Sequence, residues 1–202
     1  MKIKLTAIAL FFSFFASSQE DYIIHLNDTV IQVALDKPYQ LNVKGKKLAL
    51  KLTQKDTLIF DGSFFSFLYP KGFKVAETDI EEGVKQFAIL TAEGSGFLIQ
   101  KFESLNPTSL NELMLSEVTK ESISYGYEEK RSSTRKKLKS GQEITITKSV
   151  LRYKDEVNSY EVASIGKKDA GILIVTMRMD EESNTQGQKI IDMLWKSIKV
   201  NL

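Results

Sequence analysis

Along this chain, apolar residues recur mostly every second position, in short runs closed by Gly, Asp or Lys, and only two stretches carry helical spacing. That order limits the fold. Neighbouring strands joined by connections too short for a crossover helix pair antiparallel, which favours an α+β architecture, an antiparallel sheet with helices packed on it, over a doubly wound parallel sheet. The strand patterns are Phe64 to Pro70, Val84 to Thr91, Phe97 to Phe102, Glu143 to Tyr153, Asn158 to Ile165 and Gly171 to Met179. In Phe64 to Phe73 and Ile172 to Val175 the apolar residues are nearly continuous. Successive strand residues point to opposite faces, so both segments are expected to be covered on two sides.

Upstream lies a smaller group of strand patterns: Tyr22 to Leu26, Thr29 to Leu35, Tyr39 to Val43 and Leu48 to Leu52. Lys44-Gly45-Lys46 reads as a hairpin turn, because glycine takes positive φ without a side-chain clash. Leu48, Leu50 and Leu52 alternate with Ala49 and Lys51, predicting one apolar face. Turn residues at Gln54 to Thr57 and Asp61-Gly62 place the boundary there. Residues 19–61 are therefore read as a small β extension and residues 62–202 as the main domain.

The first helix is predicted after Pro107-Thr108, with Ser109 and Glu112 as a capping box, a stripe of Leu110, Leu113, Met114 and Val118, and Gly126 as its stop. The second is capped by Thr185 and Gln188, and Ile190, Ile191, Leu194, Trp195 and Ile198 form a broad core-facing stripe. Glu93-Gly94-Ser95-Gly96 is glycine-rich, yet no Lys-Ser/Thr follows and a strand comes next. It reads as a hairpin turn rather than a phosphate cradle.

Residues 1–18 read as an export signal, with Lys2 and Lys4, an apolar run from Leu5 to Ala16 and small residues at Ala16-Ser17-Ser18. The run is short of the ~20 apolar residues that span a bilayer. The mature chain is expected to begin at Gln19 and to reside in the periplasm or outside the cell. The sequence contains no cysteine, which excludes disulfides, thiolate nucleophiles and cysteine zinc sites, so stability must come from a packed core. Of 28 basic residues, two leave with the signal, and the 26 acidic residues then balance the rest. A neutral chain supplies no global attraction for nucleic acid or an anionic membrane.

Phe65-Ser66-Phe67-Leu68-Tyr69-Pro70-Lys71-Gly72-Phe73 resembles the opening F-x-Y-P-x-G-[FW] strand of PsbP-like domains, a fold shared with a Ran-binding nuclear-transport protein and a bacterial family of envelope lipoproteins. The order of hairpin, helix, strand meander and C-terminal helix is similar to theirs over about Ser63 to Val200. The resemblance implies that fold and, since most members are not catalysts, a non-enzymatic role. It carries no functional residue across, because the matching positions are core aromatics and a turn. The absence of a lipoprotein cysteine departs from the envelope group and argues against tethering.

Few residues suggest chemistry. His25 is the only histidine and cannot by itself supply a zinc site or a triad. Asp79, Glu81 and Glu82 precede Gly83, and Asp180-Glu181-Glu182 precede the last helix; without a D-x-D-x-D-G loop both read as solvated turns. The densest charge lies in Lys130, Arg131, Arg135, Lys136, Lys137 and Lys139. These are the candidate site for an anion, an acidic protein partner or an anionic surface. No aromatics interleave with them, which argues against stacking on nucleic acid. The competing reading is an exposed edge strand whose charges discourage edge-to-edge pairing. No cofactor or metal is implied. The expected function is that of an exported, non-enzymatic accessory or binding protein of the envelope. The alternatives are an envelope hydrolase with converging acidic residues and an electrostatic membrane or polyanion binder.

Overall fold

A computed structural model describes residues 21–26, 29–43, 45–180 and 185–202, so the expected leader lies outside the described residues. The chain divides into two units, Met1–Lys55 and Asp56–Leu202.

In the first unit, β1 (Asp21–Leu26) pairs antiparallel with β2 (Thr29–Ala34), and β3 (Pro38–Val43) with β4 (Lys46–Lys51). Gly45 takes φ +76° in the second hairpin, as the turn chemistry predicts. The Ala34 amide donates to Tyr39 Oη at 2.8 Å and the Asp36 amide to the Leu52 carbonyl at 2.8 Å, tying the hairpins together. Val33 and Ala34 are buried, whereas Leu48 is 48% exposed. Within this unit the predicted apolar face of β4 stays largely uncovered, because a two-stranded ribbon has little sheet to fold over it.

The second unit starts at Asp56, within the Gln54 to Thr57 turn and ahead of the expected domain start at residue 62. β5 (Thr57–Asp61) pairs with β6 (Phe65–Pro70), with Ile59 opposite Leu68, so Asp61-Gly62-Ser63 is a hairpin turn rather than a domain boundary. β14 (Lys199–Val200) closes the other edge of β6 and completes a three-stranded sheet in the order β14-β6-β5. Burial on β6 alternates: Phe65 and Phe67 are buried, while Ser66 and Leu68 are only partly covered. Coverage on two sides therefore does not hold for this strand.

The larger sheet comprises β7 (Ala76–Glu81), β8 (Val84–Leu90), β9 (Gly96–Phe102), β10 (Glu128–Lys137), β11 (Glu143–Tyr153), β12 (Glu156–Lys167) and β13 (Ala170–Arg178). Its order is β10-β11-β12-β13-β9-β8-β7, antiparallel throughout. β7 replaces the solvated turn expected around Asp79 and Glu81; all six of its residues are exposed, so no buried face marked it.

α1 (Asn111–Tyr125) and α2 (Thr185–Ser197) cover opposite faces of this sheet. β13 shows why both are needed, since Ile172 and Ile174 enter the core under α2 while Leu173 and Val175 enter the core under α1. The α2-side core is rich in phenylalanine, with ring centroids of Phe60 and Phe67 5.0 Å apart and of Phe67 and Phe97 5.1 Å apart. Trp195 lies in it as its spacing predicts.

The capping box of α1 does not form. A 3-10 turn over Pro107–Ser109 precedes the helix, capped by Asn106 Oδ1, which accepts from the Thr108 amide at 3.1 Å; Leu110 at the helix N-cap has no polar side chain and makes no capping hydrogen bond. Leu110, Met114 and Val118 of the predicted stripe pack against the core under α1, but the stripe does not include its fully buried residues and does include Leu113. Leu115 and Thr119 are fully buried and Leu113 is 61% exposed. Thr119 escapes a hydrophobic pattern because its hydroxyl donates to the Leu115 carbonyl at 2.9 Å, which makes a polar side chain tolerable there. Gly126 ends the helix at φ +113°.

Candidate functional site

The end of β6 and the adjoining side of α2 do not close against each other, and a groove of about 810 Å³ remains between them. Its apolar floor comes from Leu68, Pro70, Phe73, Ile190 and Met193. Leu68 is available because alternation along β6 turns it away from the Phe65 and Phe67 side. The α2 residues follow from helical spacing: the stripe that buries Ile190 and Leu194 leaves the flank with Lys189, Met193 and Lys196 facing the opening.

Ser197 locks the two walls together. Its hydroxyl accepts from the Leu68 amide at 2.9 Å and donates to the Met193 carbonyl at 2.6 Å. The β10–β11 hairpin is held to the same end, where Ser140 Oγ accepts from the Val200 amide at 2.9 Å and Gln142 Nε2 donates to the Val200 carbonyl at 2.7 Å. These bonds bring Lys139 to the groove. Lys71, Lys139, Lys189 and Lys196 line it together with one carboxylate, Asp192, which accepts from Gln188 Nε2 at 2.6 Å. Lys71 lies 3.9 Å from exposed Asp56; among the described residues no carboxylate pairs with Lys139, Lys189 or Lys196.

The basic residues singled out in the sequence are not one patch. Lys130 to Lys137 lie on β10, an edge strand of the large sheet, in unbroken register with β11. Alternation divides them between its two faces. Arg131 is on the α1 side, where it donates to Glu112 at 3.1 Å and to Glu129 at 2.9 Å, and Arg135 and Lys137 share its parity. Lys136 is on the α2 side, its Nζ 5.9 Å from the Trp195 ring centroid, with Lys130 on the same side. Lys139, beyond the strand, alone reaches the groove. The other groove lysines were not singled out, since on the sequence each is an isolated cation.

On the other flank of α2, Trp195 Nε1 donates to Glu161 Oε2 at 3.0 Å, and Lys148 lies 3.8 Å from the same carboxylate group. A second hollow, of about 850 Å³, opens beside α1 and is lined by Val118, Glu121, Tyr125, Tyr160, Met177 and Met179 among others. Burial raises the Tyr160 phenol above its ordinary pKa. Nearby, Tyr125, Tyr127 and Tyr153 form a ring cluster with centroids 5.2 to 6.2 Å apart. Tyr127 Oη donates to Glu156, and this bond pushes the Tyr127 phenol up to about 12.

Asp79 lies 3.4 Å from Lys85 on the neighbouring strand, and His25 is exposed on β1. Among the described residues no group of His, Asp and Glu is arranged to hold a metal ion, and no helix is long and apolar enough to cross a membrane.

No family model matches the chain, and no curated protein matches it. Among solved structures it is similar to a protein of Bacteroides thetaiotaomicron, with 14% identity and a TM-score of 0.43 over 74% of this chain; the match spans half of that protein's length. It is also similar to PsbP (CyanoP) of Synechocystis sp. PCC 6803, with 12% identity and a TM-score of 0.45 over 72% of this chain and 92% of that one. No residue or role passes from either to this chain.

Proposed function

We propose that this protein is a non-enzymatic, exported binding protein of the cell envelope that holds its ligand in the groove between β6 and α2. The observation that carries this reading is the groove itself. About 810 Å³ of apolar-floored space, within the ~300 to 1,000 Å³ usual for ligand pockets, lies between walls that the Leu68–Ser197 hydrogen bond fixes to each other. Among the described residues the lining supplies one carboxylate, Asp192, where the paired-carboxylate mechanism of glycoside hydrolysis requires two, which favours the binding reading over that reaction. The leader-like residues 1–18 support export.

The test uses N-phenyl-1-naphthylamine, an uncharged dye whose emission rises in apolar surroundings. The protein should bind it, and Met193→Trp, which fills the groove floor, should abolish the enhancement while circular dichroism stays unchanged. Dye binding that survives both Met193→Trp and Ile190→Trp would refute the site. For export, the intact mass of protein recovered from the envelope or medium should correspond to a start near Gln19; full-length protein found only in the cytoplasm would refute it.

A further inference from the structure

The groove pairs an apolar floor with lysines of which three, Lys139, Lys189 and Lys196, have no carboxylate partner among the described residues, and this combination narrows what it can hold. We infer that its ligand is an amphiphilic anion, an apolar chain ending in a carboxylate or phosphate head, with the head at Lys139 and Lys196 and the chain along Leu68, Phe73, Ile190 and Met193. The inference rests on the binding reading above and adds the ligand class to it.

Charge is the first argument. Among the described residues four lysines face the groove against one carboxylate, in a chain whose acidic and basic residues otherwise nearly balance. Asp192 is already engaged by Gln188, and Lys71 has a loose partner in Asp56. The imbalance left is positive. It lies over apolar surface, which is complementary to a molecule with one negative end.

The second argument concerns what the lining lacks. A neutral polar ligand such as a sugar is selected by fixed, directional hydrogen-bonding groups. Here the uncharged polar side chains are Thr185, Gln186 and Ser197, and Ser197 is committed to Leu68 and Met193. Flexible ammonium groups attract an anionic head without dictating its geometry.

Placement is the third. The bonds from Ser140 and Gln142 to Val200 set Lys139 at the C-terminal end of α2, where Lys196 stands. Lys189 is two helical turns away, ~10 Å along the axis at 1.5 Å per residue. Met193 and Ile190 lie in the interval with Asp192, whose carboxylate is engaged by Gln188, so a chain leaving a head at Lys139 and Lys196 has apolar side chains to run over.

The experiment titrates decanoate, decyl phosphate and decanol, each below its aggregation limit, into the 15N-labelled protein. The amides of Lys189, Ile190, Met193 and Lys196 report the site. Both anions should bind more tightly than decanol, and the ratio of decyl phosphate to decanoate separates a phosphate head from a carboxylate. Lys139→Gln with Lys196→Gln should weaken both anions about tenfold, as expected for two partly solvated ionic contacts, and leave decanol unchanged. Lys130→Gln with Lys137→Gln removes the same net charge from β10 and should change nothing. Equal affinity for decanol and decanoate, with shifts on α2, would overturn the anionic class and leave the groove standing. An equal loss in both double variants would reduce the effect to overall charge and overturn it as well. Absence of α2 shifts with every probe would overturn the inference, and the neutral dye then decides whether the groove binds at all.

Discussion

Replacement of Trp195 tests both the core under α2 and the polar contact at its margin. The residue is 7% exposed, and its indole N–H donates to Glu161 at 3.0 Å. Truncating a buried aromatic to alanine costs ~3 to 5 kcal/mol, and a hydrogen bond to a charged group contributes ~1.5 to 3 kcal/mol, the two overlapping because they share one side chain. Trp195→Ala is therefore expected to destabilise the fold by about 4 kcal/mol, a large part of the ~5 to 15 kcal/mol that folded domains possess. Trp195→Phe keeps most of the apolar contact and loses the donor, so about 1 to 2 kcal/mol is expected. Urea unfolding followed by far-ultraviolet circular dichroism measures both. Because Trp195 is the only tryptophan, wild-type fluorescence follows the same site. A double-mutant cycle of Trp195→Phe with Glu161→Ala should show coupling of about 1 kcal/mol or more, since the two groups are in contact. A loss below about 1 kcal/mol for Trp195→Ala would place the ring outside the core. Zero coupling would remove Glu161 from the account.

Two further outcomes follow from local geometry. In a spectrophotometric titration Tyr127 should ionise late, near 12, and Glu156→Gln should shift it down; because the folded pKa is raised, its contribution to stability is complete below the unfolded value of ~10 and is lost as pH rises through the folded one. An unshifted tyrosine would mean the bond to Glu156 does not form in solution. Gly96 has φ +146° and an added Cβ would collide with the Ile89 carbonyl, so Gly96→Ala should lower stability in denaturant by ~1 to 3 kcal/mol, and a neutral result would show that the β8–β9 turn can relax.

How much of this protein is local can be judged from particular residues. Gly126 and Gly94 ended elements where their chemistry predicts, with φ of +113° and +84°. The stripe of α2 and the two-sided apolar run of β13 were legible because burial imposes a period on neighbouring side chains. β7 left no such mark, since exposure imposes none. The capping box at Ser109 failed for a related reason: Asn106 three residues upstream offers the same hydrogen-bonding chemistry, and the 3-10 turn it caps moved the helix start.

Pairing and convergence belong to the tertiary structure. Asp61-Gly62-Ser63 has turn chemistry whether it joins two strands or two domains, and only the pairing of β5 with β6 decides between them. The two residues of β14 are too few to show a period, yet they close a sheet edge. The basic run from Lys130 to Lys139 was evident from the sequence, but a strand turns alternate side chains apart, so contiguity in the chain became separation in space. The groove shows the reverse. Lys71, Lys139 and the α2 pair Lys189 and Lys196 come from three distant parts of the chain and are unremarkable one by one, and they meet because Ser197 binds Leu68 and the β10–β11 hairpin binds Val200. Local periodicity thus determined the elements of this protein, whereas the site depends on contacts between distant residues, which no period within one segment encodes.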